Sequence, residues 1–167
     1  MFLWRASGAA PAVWLFNRDT LDPVLSDETY IETLQIMQVL VKLRWDNSVG
    51  EIEVFEPRGW RNHPAVLMWQ GYELALLAYQ RQVCDEWTSR GYKDTCLPKT
   101  LGLVRRWHGD DAPAYVDPLW LGDERLHRSH QSNLIRKDAD YYGPLFPGVS
   151  GEEPYVWPTS KAELEQS

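Results

Sequence analysis

An all-α fold follows from three stretches of the sequence. Residues 26–45 are apolar on nearly every helical position. Residues 69–87 carry a strict helical stripe. Residues 120–147 have helical length and are bracketed by aromatic and proline clusters. A compact bundle of about three long helices is expected, with irregular wraps at both ends. The 167 residues fit one globular domain, 1–158, and a polar tail, 159–167, that frays.

Residues 1–25 hold Gly8, Pro11, Pro23 and scattered aromatics, and read as an irregular wrap. Ser26 or Asp27 can cap a first helix that runs to about Arg44 or Trp45. Its apolar positions are Ile31, Leu34, Ile36, Met37, Val39, Leu40, Val41 and Leu43, which suits a central buried helix. Glu32 shares a face with Gln35, Ile36, Val39 and Leu43. A carboxylate at the edge of a buried face is costly unless it is paired or used. A helix-entry glutamate reaching solvent is the simpler alternative.

Residues 46–56 are acidic and turn-rich, a loop or short hairpin with a strand at 51–55. The run GWRNHPAVLMW, residues 59–69, opens the second helix, with Asn62 or His63 as cap and Pro64 in the first turn. The stripe Trp69, Tyr72, Leu76, Tyr79, Val83, Trp87 continues it, and Gly91 stops it. Arg61, Asn62 and His63 thereby gather at a helix N-terminus, which favours anions. The same residues can simply cap and brace the helix. A short helical piece at 97–107 and a polar loop follow.

Asp123 caps the third long helix. Between Asp123 and Asp138 only Leu126, Leu134 and Ile135 are apolar, so the helix lacks an ordinary buried stripe. A helix this polar faces solvent or lines a site. The clusters PLW and YYGPLFP clamp it, so it reads as the lining of a polar cleft. His127 and His130 are spaced for metal ligation, but a third ligand is missing, so they read as structural histidines and no metal is expected. From Tyr141 onward Pro144, Pro147, Pro154 and Pro158 favour an extended path, anchored by PYVWP.

A net charge of −7 excludes a phosphate-binding field over the whole surface, yet leaves room for a local basic groove. Arg58, Arg61, Arg105, Arg106, Arg125, Arg128, Arg136 and Lys137 lie in or near three short polar segments, while acids crowd 19–32, 46–56 and the tail. If those segments converge, they make a basic cleft on an acidic body. Cys84 and Cys96 are too few for a zinc site of paired C-x-x-C type and read as reduced thiols. The apolar run in residues 1–16 is short and broken by Pro11, and no stretch of membrane length follows, so a soluble cytoplasmic protein is expected. Phosphate-loop, dinucleotide, nucleophile-elbow and metalloprotease motifs are missing, and no cofactor is expected. Cationic donors beside Trp60, Trp69, Tyr141 and Tyr142 fit a phosphate-bearing base. They also fit a polar interface with another protein, and composition does not separate the two.

The segments GWRNHPAVLMWQGYELALLAYQRQVCDEWTSRGYKDTC, PLWLGDERLHRSHQSNLIRKDADYYGPLFP and PYVWP, with IETLQI in the first helix, resemble a family of small, largely actinobacterial and phage proteins. The resemblance covers most of residues 27–158. That family is in turn similar to the pyrimidine-dimer DNA glycosylases of the phage endonuclease V type, through helical layout and a first-helix glutamate. The resemblance implies an all-α protein acting on damaged or modified bases in duplex DNA. Glu32 is then the catalytic glutamate. Arg61, His63, His127, Arg128, His130, Asn133, Arg136 and Lys137 become phosphate or base contacts, with Trp69, Tyr141 and Tyr142 as aromatic surfaces.

Two positions depart from the pattern. The enzymes attack through an exposed N-terminal amine on a small second residue, whereas Phe2 is bulky, so Met1 is expected to stay. The approach to the first helix reads LSDETYIE, where the near family carries a basic run. The resemblance therefore implies a glycosylase with or without a lyase step. A non-catalytic binder of nucleic acid or nucleotide, and a phage-encoded adaptor that meets a protein partner through its acidic surface, are the alternatives.

Overall fold

In the computed structural model of the protein the described residues are 23–109, 111 and 114–158, with side chains described from residue 31 onward. Met1, Phe2, the rest of the N-terminal wrap to residue 22, and the tail 159–167 lie outside the described residues, as do the side chains of the LSDETY segment. The chain divides into two compact units, residues 22–118 and 119–158.

In the first unit, helix α1 spans Pro23–Val41. It begins ahead of Ser26 and Asp27, because proline's fixed φ and missing N–H suit a first helical turn. It also ends earlier than expected. Lys42 takes a positive φ of 54° and turns the chain into strand β1, Leu43–Asp46. Strand β2, Glu51–Val54, pairs antiparallel with it, matching Leu43 to Val54 and Asp46 to Glu51. Arg44 and Trp45, expected in the helix, belong instead to this hairpin. Arg44 ion-pairs across the strands with Glu53. The Asp46 carboxylate accepts from the Ser48 N–H at 2.7 Å and organises the turn. Helix α1 buries Leu34, Ile36, Met37 and Val41 but leaves Ile31, Glu32 and Gln35 exposed, so it is wet along one side.

A 3-10 turn at Trp60–Asn62 leads into the one-turn helix α2, Pro64–Leu67. His63 is its cap: the ring Nδ1 accepts from the Ala65 N–H at 3.2 Å. The chain then breaks at Gly71, whose φ of 80° favours glycine, and helix α3 runs Glu73–Ser89. The expected stripe is thus split between two elements. Trp69 and Tyr72 precede α3, yet both remain buried. Gly91, at φ 88°, ends the element as expected. Helix α4 spans Leu97–His108, its start held by the Asp94 carboxylate accepting from the Cys96 and Leu97 N–H groups. A Cβ at Gly102 would sit 3.3 Å from Ile52 Cδ1, so this glycine lets α4 approach the hairpin closely. Helix α1 packs against α3, α4 and β1. Cys84 and Cys96 are free thiols in the core, and burial pushes the Cys84 thiol up.

In the second unit, Asp123 caps helix α5, Glu124–Lys137, accepting from the Arg125 N–H at 3.0 Å. Asp138 then caps the short helix α6, Ala139–Tyr142, and a 3-10 turn follows at Gly143–Leu145. Residues 141–145 are therefore helical rather than extended. The Asp138 cap and a proline in the first turn supply the local reason. Residues 146–158 contain no helix or strand. The described residues are mostly helical, with four helices of 12 to 19 residues among them and a small hairpin. No helix among the described residues is long and apolar enough to cross a membrane.

Candidate functional site

The first unit carries Glu32, Arg61, His63 and Trp69. Glu32 lies where α1 changes from buried to wet, and its side chain is exposed. Its carboxylate neighbours the buried Tyr79 on α3. Burial first, and the Glu32 charge second, push the Tyr79 hydroxyl well above the usual phenol range, so it stays protonated. Trp69 is buried, its ring 5.3 Å from that of Tyr79. It is packed in the core rather than offering an open stacking surface.

Helix α1 also touches the 60–62 turn, so Glu32's helix and the RNHP run share this unit's surface. Arg58, Trp60, Arg61, Asn62 and His63 are all exposed there. Trp60 and His63 stack at 4.8 Å with their planes 18° apart. Neither Arg58 nor Arg61 forms an ion pair among the described residues. The turn thus offers guanidiniums without an acid partner among the described residues and an exposed ring pair, while Glu32 stands exposed on the helix that touches it. That set can hold a phosphate, stack on a base and polarise a water molecule.

The second unit carries the remaining candidates, and here α5 behaves differently from the expected cleft lining. Its polar face is covered by residues 148–157 of the same unit, a strap. Arg136 donates to the carbonyls of Gly151 and Glu153, both at 2.9 Å. Arg128 pairs with the Glu153 carboxylate and also reaches the Gly148 carbonyl. The Ser132 hydroxyl accepts from the Glu153 N–H at 3.0 Å, and Ser129 reaches the Val156 carbonyl at 3.4 Å. Asn133 donates to the Tyr155 hydroxyl at 3.4 Å. The His130 ring meets Tyr155 and Trp157 edge-on, at 4.8 and 5.1 Å, as an anchoring PYVWP requires. The strap comes close enough that a Cβ at Gly151 would lie 3.2 Å from Ile135 Cγ2.

His127 and His130 are both buried on α5. Desolvation, with a smaller contribution from the neighbouring His127, lowers the His130 pKa to about 4, so its ring is neutral at pH 7. Desolvation also lowers that of His127, against the opposing pull of Asp123. Among the described residues no three His, Cys, Asp or Glu side chains gather as a metal site. Lys137 and Tyr141 are exposed at the end of α5 and on α6, and Tyr142 is buried beside Phe146, rings parallel. Sequence reasoning misses the strap's grip on α5. Its signals are Ser129 and Ser132, three residues apart on one helix, and the Gly-Glu-Glu run ahead of PYVWP. Tyr79 stands out in the sequence only as a stripe position, and its placement beside Glu32 depends on how α1 and α3 cross.

A family model described as pyrimidine dimer DNA glycosylase matches residues 23–100. The chain is distantly related to that glycosylase family. The matched span starts with α1 and takes in Glu32, the RNHP turn and α3. It thereby covers the first unit's candidate residues and stops before α5. No curated protein and no solved structure matches the chain.

Proposed function

We propose that the protein is a DNA N-glycosylase that removes a damaged or modified base, with Glu32 as its catalytic carboxylate. The observation that carries this reading is the reach of the glycosylase match over Glu32 and the 58–63 turn together. In the reaction the bond from the sugar C1′ to the base nitrogen breaks. Water adds its oxygen to C1′ and loses a proton, and the base departs with one. An ionised Glu32 serves as general base for that water and offsets the positive charge that grows on the sugar ring. Arg61, His63 and the neighbouring Arg58 contact the phosphates, and Trp60 on His63 offers a surface against which a displaced base can stack.

In the second unit, exposed Lys137 and Tyr141 contact DNA. His127, Arg128, His130, Asn133, Arg136 and Tyr142 hold that surface together, because the strap and the unit's interior occupy their polar groups or rings.

A non-catalytic DNA binder is the second reading. The water exposure of Glu32 favours it, since charge stabilisation is strongest in a dry site. Incubation with ultraviolet-irradiated and base-modified duplex separates them. Abasic sites support the glycosylase, and borohydride-trapped adduct adds a lyase step. Gel retardation without either product supports the binder. Loss of base release in Glu32→Gln, with DNA binding retained, is the expected result. Unchanged base release in that variant removes Glu32 from the mechanism.

A further inference from the structure

The described cations fall into two classes. Lys42, Arg44, Arg90, Arg125 and Arg128 each face an acid. Arg136 is bound to carbonyls and Lys99 to Asn47. Arg58, Arg61, Arg81, Lys93, Arg105, Arg106 and Lys137 have no such side-chain partner among the described residues. Of these, Arg105 and Arg106 are adjacent in sequence and concentrate two unengaged charges at one place. They stand in the last turn of α4 with His108, and among the described residues neither takes an acid or a carbonyl.

Arg105, Arg106 and Trp107 are three successive exposed residues, and three successive helical positions sweep about 200° of arc. The final turn of α4 therefore stands clear of the core on most of its circumference. Trp107 keeps 38% of its surface exposed, its ring 3.7 Å from that of His108. Basic residues in a last turn also complement the helix dipole. That role explains the charge. It leaves the guanidinium heads free for a second acceptor, and it does not account for the exposed indole beside them.

We propose that Arg105, Arg106 and Trp107 form an auxiliary grip on the backbone of duplex DNA, lying outside the 58–63 turn and outside the glycosylase-matched segment. The inference rests on the DNA reading above. Two guanidiniums splayed from one helix end reach two phosphates, and the indole packs its apolar face against the sugars between them. Such contacts carry no sequence information. They add affinity for undamaged flanking duplex and a steeper dependence on salt.

The test uses the full chain and a fluorescent, undamaged 20-base-pair duplex, with anisotropy titrations from 50 to 200 mM salt. The variants are R105E/R106E, R105Q/R106Q, and the charge-matched control R81E/K93E at two exposed cations elsewhere in the same unit, all checked for a native melting transition. Expected is a loss of affinity of at least tenfold at 50 mM for R105E/R106E. R105Q/R106Q should flatten the log–log salt slope by about 0.9 for each phosphate that is no longer neutralised. The control should lose less than threefold. Equal losses in R105E/R106E and the control reduce the effect to net charge and overturn the grip. Wild-type binding that both Arg variants retain overturns the grip alone, whereas a wild type that binds no duplex at 50 mM overturns the DNA reading with it.

Discussion

Glu32 and Gly102 illustrate how much a single position carries in opposite ways. Glu32 is exposed on α1, so Glu32→Gln should shift stability by no more than about 0.5 kcal/mol in urea melts. Any loss of base release then reports chemistry rather than folding. A destabilisation of several kcal/mol would show the carboxylate to be structural. Gly102 is the reverse case. Alanine there regains about 1 kcal/mol of helix propensity and meets only the flexible tip of Ile52, so Gly102→Ala should be close to neutral. Gly102→Leu drives a branched chain into Ile52 and Trp45 and should cost about 1–3 kcal/mol. Equal melting midpoints for the two variants would contradict the close approach of α4 to the hairpin. Neither role is a matter of residue type alone. The sequence marks Glu32 as an acid at the edge of a buried helical face, but its neighbour Tyr79 comes from a different helix.

At the scale of elements, α5 and the strap behave as one object. Arg136→Ala removes two hydrogen bonds to strap carbonyls and should cost about 1–3 kcal/mol. Hydrogen exchange should rise at residues 151–157 while α3 and α4 keep their protection. Protection unchanged along the strap would mean that Tyr155 and Trp157 hold it unaided. This pairing also explains which elements are legible in the sequence. Asp123, Gly91 and the α3 stripe carry local signals of capping, positive φ and periodicity, and the elements form where those signals stand. The end of α1 is harder to place because Leu43, Arg44 and Trp45 are good residues for either state. Only pairing with residues 51–54 decides for strand. The polar face of α5 suggests a cleft because its true partner is irregular chain. Backbone N–H and C=O groups leave no periodic trace in a sequence.

For the molecule as a whole, pH is the most direct probe. The folded chain depresses His130 to about 4, against about 6.5 for an unfolded histidine. Between those values the unfolded chain binds the extra proton, so stability rises with pH. The contribution is complete above about pH 6.5 and fades as pH falls toward 4, by on the order of 3 kcal/mol. His127 acts in the same direction. Urea melts at pH 7.5 and 4.5 should show this loss in the wild type and a smaller one in His130→Gln. An equal loss in both would place the acid sensitivity elsewhere. A helical class and an acidic body with local basic segments are readable from composition and spacing. Which cations are engaged by internal partners is not, because that depends on distant acids such as Glu153 meeting them in space.

Helix α5 grips the strap largely by its main chain: the carbonyls of Gly148, Gly151, Glu153 and Val156 and the N–H of Glu153. Such recognition is blind to most side-chain identities. Evolutionary drift should therefore be permissive at exposed Glu152 and Pro154 and strict at Gly151, where any added carbon meets Ile135. A saturation library across residues 150–157, sorted for folded protein, should recover that uneven tolerance.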